Sequence, residues 1–570
     1  VQGMVKTMQM MQEEGMTVTE VDALFGQAMG RPKTAMLKTA DIVGLDTLGH
    51  VARNSYELIS DEEEKKDFVL PDFFDQMLEK KMLGKKTQGG FYKTELTPEW
   101  KKVRKVINPE TLEYEDWQKV DFPCLAEAKK AKTLAEKIRT IVYGDDKGAR
   151  FAWKVVANGM IYAADRIPEI SDTIVEIDNA MKWGFNFEMG PFEAWDAIGV
   201  QECVAKMETD GLTVPAKVKD MLAACVTSFY KTENGKVSCY DFDTTGSKDV
   251  VVSESNISLA ARKGSGKLVK TCDSASLVDL GDGVFCCEFH TKMNALNAEI
   301  IQFMDEAMDY VDENGVGLVI GNQAGGMPGA FSAGADLVQV GTAAKTNRLD
   351  EVDQMIRALH AVIQKETYSP FPVVAAPYGL ALGGGCEVCL AADRIVAHAE
   401  LYMGLVEIGV GLLPGGGGCK NLWKKAVNSI PSHVKDVDLS KFFIPTFMNI
   451  ATAKVSMSAA QARAAGFLGP QDRIVFNRDL LIGEAKKEVL RMADAGYAPP
   501  AKKKLKVLGA AAEGMVNGEI FNMQSAGYVS EYDAFLARRI ATVVGGGDVR
   551  TNSEIDEEVI LNLEREAFID

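Results

Sequence analysis

Gly379-Leu-Ala-Leu-Gly-Gly-Gly-Cys-Glu387 decides the reading of this chain, together with Gly404-Leu-Val-Glu407 a little further on. A glycine run one residue short of an acidic side chain lays backbone N–H groups open beside a carboxylate. That is the equipment for stabilising an oxyanion and moving a proton next to it. A second carboxylate makes a pair, and a pair allows water to be added across a polarised double bond. One carboxylate handles the water and the other the carbon-bound proton. Taken alone, Gly383 to Gly385 also suits a tight strand-to-helix turn. Glu387 likewise suits the first turn of a helix, favoured by its dipole, and Glu407 a surface acid.

Outward from this stretch the chain reads as several domains. Its 570 residues exceed one ordinary core, and 46% hydrophobic with 25% charged residues is a globular composition. No apolar run reaches the length of a membrane span. Val1 opens inside a helical pattern with no basic and then apolar leader, which reads as a chain entered part-way without a signal peptide. A net charge of −18 argues against a nucleic-acid partner. The ten Cys, mostly in apolar contexts, point to a reducing, cytoplasmic setting. Cys386 and Cys389 have C-x-x-C spacing but no second pair follows, so buried thiols are expected rather than a redox or metal site.

The first half repeats itself. Val18-Thr-Glu-Val-Asp22 precedes Thr39-Ala-Asp41-Ile-Val-Gly-Leu, and Val175-Glu-Ile-Asp178 precedes Met189-Gly-Pro-Phe-Glu-Ala-Trp-Asp196. Each unit reads as a helix, a turn and a second helix opening with small and acidic residues. The helical stretches from Met4 and from Trp153 match as well. Residues 1–125 and 126–245 are therefore expected to form two related helical domains, and 246–266, rich in Ser, Gly and charge, a linker. Alternating strand and helix patterns over 267–500 then predict an α/β domain, and 501–570 a helical C-terminal segment.

Four motifs in order carry a resemblance. Met293-Asn-Ala-Leu-Asn297, Phe331-Ser-Ala-Gly-Ala-Asp336, Gly383-Gly-Gly-Cys-Glu387 and Met403-Gly-Leu-Val-Glu407 through Leu413-Pro-Gly-Gly-Gly-Gly418 resemble the crotonase (enoyl-CoA hydratase/isomerase) superfamily. Asp41-Ile-Val-Gly-Leu-Asp46, Gly84-Lys-Lys-Thr-Gln-Gly-Gly-Phe-Tyr92 and Met189-Gly-Pro-Phe-Glu193 are similar to two copies of the C-terminal domain of 3-hydroxyacyl-CoA dehydrogenase. The fold this implies is mixed: duplicated all-α dehydrogenase domains, then an α/β crotonase domain and a helical tail. The order departs from the commoner arrangement, in which the hydratase comes first.

The resemblance implies hydration of a trans-2-enoyl-CoA in fatty-acid β-oxidation, with enoyl-CoA isomerisation and a scaffold docking thiolase or a separate dehydrogenase as alternatives. It implies backbone amides of Ala333 and Gly384 as the oxyanion hole, Glu387 activating water and Glu407 protonating the α-carbon. Ala335, Asp336, Gly383 and Lys292 are the expected substrate-binding residues; Asp336 also reads as a helix cap, and Lys292 equally as a solvated lysine. Pro414 to Gly418 reads as a turn, since no Lys-Ser/Thr follows to make a phosphate loop. No cofactor is expected for the hydratase, with CoA part of the substrate, and no metal. NAD is expected only with a dinucleotide-binding domain, whose glycine fingerprint this sequence lacks. None of the five histidines falls in a matching motif. Monomer and homo-oligomer both stay open.

Overall fold

The computed structural model describes residues 1–98, 100–233, 236–250, 253–323, 329–431, 433–434 and 437–570. The chain divides into two compact units, Val1–Val251 and Val252–Asp570.

The first unit is helical, and its repeat is visible as matching hydrogen bonds. Asp22, on the helix Val18–Leu24, accepts from the amides of Met36, Leu37 and Lys38 at 3.0, 2.6 and 3.0 Å and from the Tyr92 hydroxyl at 2.8 Å. Asp178, on the helix Ile174–Phe185, accepts from the amides of Phe192 and Glu193 at 2.9 and 3.1 Å and from the Tyr230 hydroxyl at 2.7 Å. Each aspartate thus caps the helix that follows it, satisfying amides that have no partner inside that helix. The second aspartate of each copy closes a longer loop. Asp41 takes the amides of Phe91 and Tyr92, both at 2.8 Å. Asp196 takes those of Phe229 and Tyr230 at 2.7 and 2.8 Å.

The residues so clamped open a small sheet in each copy, which the helical periodicity does not announce. Tyr92–Leu96, Lys102–Ile107 and Tyr114–Asp116 form one three-stranded antiparallel sheet; Tyr230–Glu233, Lys236–Asp241 and Gly246–Asp249 form the other. The strand Gly246–Asp249 places the start of the expected linker inside the first unit. Residues 251–252 of it lie outside the described residues. Ser255 then bonds Glu484 at 2.9 Å, and the Leu259 amide bonds Gln323 at 2.7 Å, both within the second unit.

Among the described residues the second unit holds two larger sheets and an antiparallel pair, Leu505–Val507 with Ser553–Ile555. Seven strands run in the order Arg473–Val475, Arg394–His398, Val373–Ala376, Gly317–Gly321, Val284–Phe289, Ala275–Gly281, Leu268–Thr271; the first five are parallel and the last two complete an antiparallel edge. A second sheet of three parallel strands, Ala330–Ser332, Gly379–Leu382 and Leu401–Gly404, carries the motif stretches at its carboxyl ends. That is where open parallel sheets present ligands. The central strands Gly317–Gly321 and Val373–Ala376 are buried on both faces, so they read as continuous apolar runs. Residues 501–570 do not stand apart. Leu505, Val507, Val516, Ile540 and Ile560 belong to the same apolar core as Trp423 and Phe443.

Candidate active site

Three short connections meet at the end of the smaller sheet. The strand Gly379–Leu382 turns through Gly383 into the helix Gly384–Ala391, which we call the glutamate helix. Gly383 has φ +53°, and a methyl group there would stand 3.0 Å from Oε1 of Glu407. Glycine is required both for the backbone and for the approach of that carboxylate. The Gly383 amide donates to the Gly404 carbonyl at 2.9 Å, holding the turn against the strand that leads to Glu407. Glu407 itself opens a single helical turn, Glu407–Val410.

Glu387 is buried on the first turn of the glutamate helix. Its Oε1 accepts the amides of Gly416 and Gly418 at 2.7 and 2.9 Å. The run Pro414 to Gly418, which reads in sequence as no more than a turn, is therefore the holder of this carboxylate. Glycine is needed there because a methyl on Gly416 would lie 2.3 Å from Oε2 of Glu387. Oε2 of Glu407 is buried and has no hydrogen-bond partner among the described residues.

Burial pushes both carboxyls upward from the ordinary carboxylate range, and their mutual repulsion adds to this for Glu407. The two are not equivalent. Glu387 accepts two amides on one oxygen, and backbone N–H groups of Val406 and Glu407 favour the charged form of Glu407, whose Oε2 has no partner among the described residues. Repulsion between the two carboxylates favours a pair that carries one proton.

The oxyanion donors need a correction. The Ala333 amide donates to the Met293 carbonyl at 3.1 Å, so it is consumed in holding two loops together. The neighbouring Ala335 amide has no partner among the described residues. A methyl placed on Gly384 would stand 3.5 Å from the Ala335 nitrogen and 3.8 Å from Oε2 of Glu387, and one on Gly334 would stand 3.4 Å from the Gly384 nitrogen. The amides of Ala335 and Gly384 and the Glu387 carboxylate therefore border one small space.

Of the other expected site residues, Asp336 caps the helix Leu337–Lys345 by accepting the Val338 amide at 3.0 Å. Lys292 lies exposed on the turn Lys292–Asn294. Cys386 and Cys389 are buried in the glutamate helix, and burial pushes their thiols well above the ordinary range, as inert packing groups require. His360, missed as a site neighbour because it has no motif around it, is buried, and its Nε2 has no hydrogen-bond partner among the described residues.

Among the described residues no group of His, Cys, Asp and Glu is arranged to hold a metal ion, and no helix is long and apolar enough to cross a membrane. Strands of the first unit pair only antiparallel among the described residues. A dinucleotide-binding unit is built instead from parallel strands joined by helices. The first unit does hold a cavity of about 590 Å³ lined by Met4, Met10, Met29, Arg31, Met181 and Phe187, with none of the paired carboxylates.

An α/β domain of the crotonase type, carrying two buried carboxylates, thus follows a duplicated helical unit. The enoyl-CoA hydratase/isomerase family model matches residues 281–434, and the model of the 3-hydroxyacyl-CoA dehydrogenase C-terminal domain matches 1–94 and again 154–234. A "Probable 3-hydroxyacyl-CoA dehydrogenase" of Bacillus subtilis is 41% identical over all of this chain and 70% of its own length. A "Putative fatty acid oxidation complex trifunctional enzyme" of Rickettsia felis is 29% identical over 73% of this chain and 53% of its own length. The chain belongs to the family of this Bacillus subtilis protein, and in it the regions matched by the dehydrogenase C-terminal domain precede the region matched by the enoyl-CoA hydratase/isomerase model. It spans between about half and seven-tenths of these relatives. An enoyl-CoA hydratase of Bacillus anthracis aligns over 48% of this chain and 90% of that chain at 19% identity, with a TM-score of 0.31, too loose a superposition to add to this.

Proposed function

We propose that the second unit hydrates trans-2-enoyl-CoA thioesters to 3-hydroxyacyl-CoA, as a step of fatty-acid oxidation. The observation that carries this reading is the inequivalence of Glu387 and Glu407 beside the amides of Ala335 and Gly384. The two amides accept the thioester oxygen, making the β-carbon electrophilic and stabilising the enolate that follows. One such donor is worth on the order of 3–4 kcal/mol.

Glu387, held as a carboxylate by Gly416 and Gly418, takes a proton from water as its oxygen bonds to the β-carbon. Glu407 gives its proton to the α-carbon as the enolate collapses. The elements of water are added and no redox change occurs, so no cofactor enters. Isomerisation needs only one carboxylate, and the presence of two in different states favours hydration. Gly383 admits Glu407 to the site, Lys292 is available to CoA phosphates, and Asp336 shapes the loop that bears Ala335. The helical first unit is the part we assign to docking a thiolase or a dehydrogenase partner.

Steady-state hydration of crotonyl-CoA tests this. Glu387→Gln and Glu407→Gln should each slow the reaction roughly 10²–10⁴-fold, the usual worth of a general acid or base. Two single variants that both hydrate at the parental rate would overturn the assignment.

A further inference from the structure

The last helix of the chain, Glu557–Ile569, presses one face against the glycine loop that holds Glu387. Leu561, Glu564 and Phe568 lie on that face at helical spacing. A methyl on Gly417 would stand 3.4 Å from Leu561, and one on Gly415 would stand 2.8 Å from Phe568, so the loop has no room for side chains on the helix side. Between them, the fully buried Glu564 accepts the Cys419 amide on its Oε1 at 2.7 Å. Consecutive amides of one loop are therefore divided between two buried carboxyl groups: Gly418 serves Glu387 and Cys419 serves Glu564.

Resting on the hydratase reading above, we propose that Glu564 is a positioning residue for hydration: by holding the Cys419 amide it fixes the loop and so presents the amides of Gly416 and Gly418 to Glu387. The groups facing Glu564 are Glu387 from the glutamate helix and Cys419 and Lys420 from the helix Gly418–Asn428. Lys420 is engaged with Gln364 at 3.0 Å and Glu557 at 3.4 Å. Burial and the charge of Glu387 push the Glu564 carboxyl well above the ordinary range, so it acts as a neutral acid that accepts through one oxygen. Its other oxygen is buried with no partner among the described residues, as a protonated oxygen in a dry pocket would be.

The test is the pH profile of kcat/KM for crotonyl-CoA in the full chain. Glu564→Gln keeps the acceptor and the neutral charge. It should stay within about threefold of the parent, with the acid limb in place. Glu564→Leu leaves the Cys419 amide unpaired and loosens the loop. It should lower kcat about tenfold or more with KM little changed, and move the acid limb up by roughly half a unit or more, because Glu387 loses bonds that favour its charged form. Should Glu564→Leu fail to fold, Glu564→Asp, one methylene too short to reach Cys419, supplies the same contrast. A folded Glu564→Leu or Glu564→Asp variant with the parental acid limb would mean a purely structural residue. A Glu564→Gln variant with a displaced limb would mean that it acts through its charge. Either result overturns the proposal while leaving the hydratase reading intact; parental activity that survives Glu387→Gln, or its absence from the start, sinks that reading itself.

Discussion

Two adjacent glycines of the glutamate helix should fail in opposite ways when given a methyl group. Gly384 has ordinary backbone angles, and its added carbon would meet Leu296 Cδ1 at 3.1 Å, the end of a side chain that can yield by a few tenths of an ångström. The entropic gain of replacing glycine in a helix offsets much of that crowding, so stability should change by about 1 kcal/mol or less. The same carbon, however, points into the space bordered by the Ala335 amide and Glu387, where the thioester oxygen must sit. Displacing that oxygen from even one donor costs about 3–4 kcal/mol, so Gly384→Ala should lower kcat/KM for crotonyl-CoA on the order of 10²–10³-fold with a near-parental melting temperature. At Gly385 the methyl would lie 2.6 Å from Cβ and 2.7 Å from the backbone oxygen of Ser332, and backbone in a buried strand does not yield. Gly385→Ala should destabilise the unit by about 2–3 kcal/mol. The assay pairs thermal unfolding with the fall in enoyl absorbance on hydration. A Gly384→Ala protein retaining more than about a tenth of parental kcat/KM would refute the placement of the oxyanion site, since loss of one donor alone exceeds that.

Asp196→Ala leaves the part-buried amides of Phe229 and Tyr230 unpaired and should lower the stability of the first unit by about 1–3 kcal/mol in denaturant unfolding, with hydration unaffected. Burial pushes Asp178 up to about 7, above its unfolded value, so the stability it contributes is full below the unfolded value and is lost as pH rises through neutrality. Asp178→Asn should flatten that fall, and an unchanged pH dependence of unfolding would count against a protonated Asp178. Because burial raises both carboxyls of the proposed site, kcat/KM should rise along an acid limb above the ordinary carboxylate range, as Glu387 ionises, and fall again once Glu407 loses its proton. An acid limb at the value of a solvated glutamate would contradict the burial.

The surroundings of Glu387 were legible because their signal is local. Its glycines, the glutamate and their spacing sit within one strand–turn–helix, whereas Glu407 lies on a separate turn after the strand Leu401–Gly404. Ala333 and Ala335 could not be told apart in the same way. Both sit in one small-residue motif, and what separates them is a bond from Ala333 to Met293, a residue in another motif held at φ +58°. Which amide is spent and which is free is decided by tertiary contact. The aspartate repeat was legible as a repeat, but its tyrosine partners lie in short strands such as Tyr92–Leu96, whose polar and charged sequence gives no strand alternation. Glu564 had no signal at all: on a helix rich in charge it reads as one more solvated residue, and only the fold carries it to Cys419.

The two units also show why burial alone does not mark a reactive carboxyl. Asp41 and Asp196 are pushed upward by burial just as Glu387 and Glu407 are. Yet in Asp41 and Asp196 each oxygen accepts its own amide, and in Asp22 and Asp178 an amide and a tyrosine hydroxyl fill Oδ2 as well. A carboxyl saturated in this way cannot reach a substrate without breaking the bonds that hold the fold, so it is a latch. Glu387 receives both of its amides on Oε1, and Glu407 keeps Oε2 bare. Each glutamate of the proposed site thus retains one oxygen that accepts no hydrogen bond from its neighbours among the described residues: Oε2 of Glu387, which Gly416 borders, and Oε2 of Glu407. In this chain the number of donors on each oxygen separates the carboxyls that hold the fold from those available to water and a thioester.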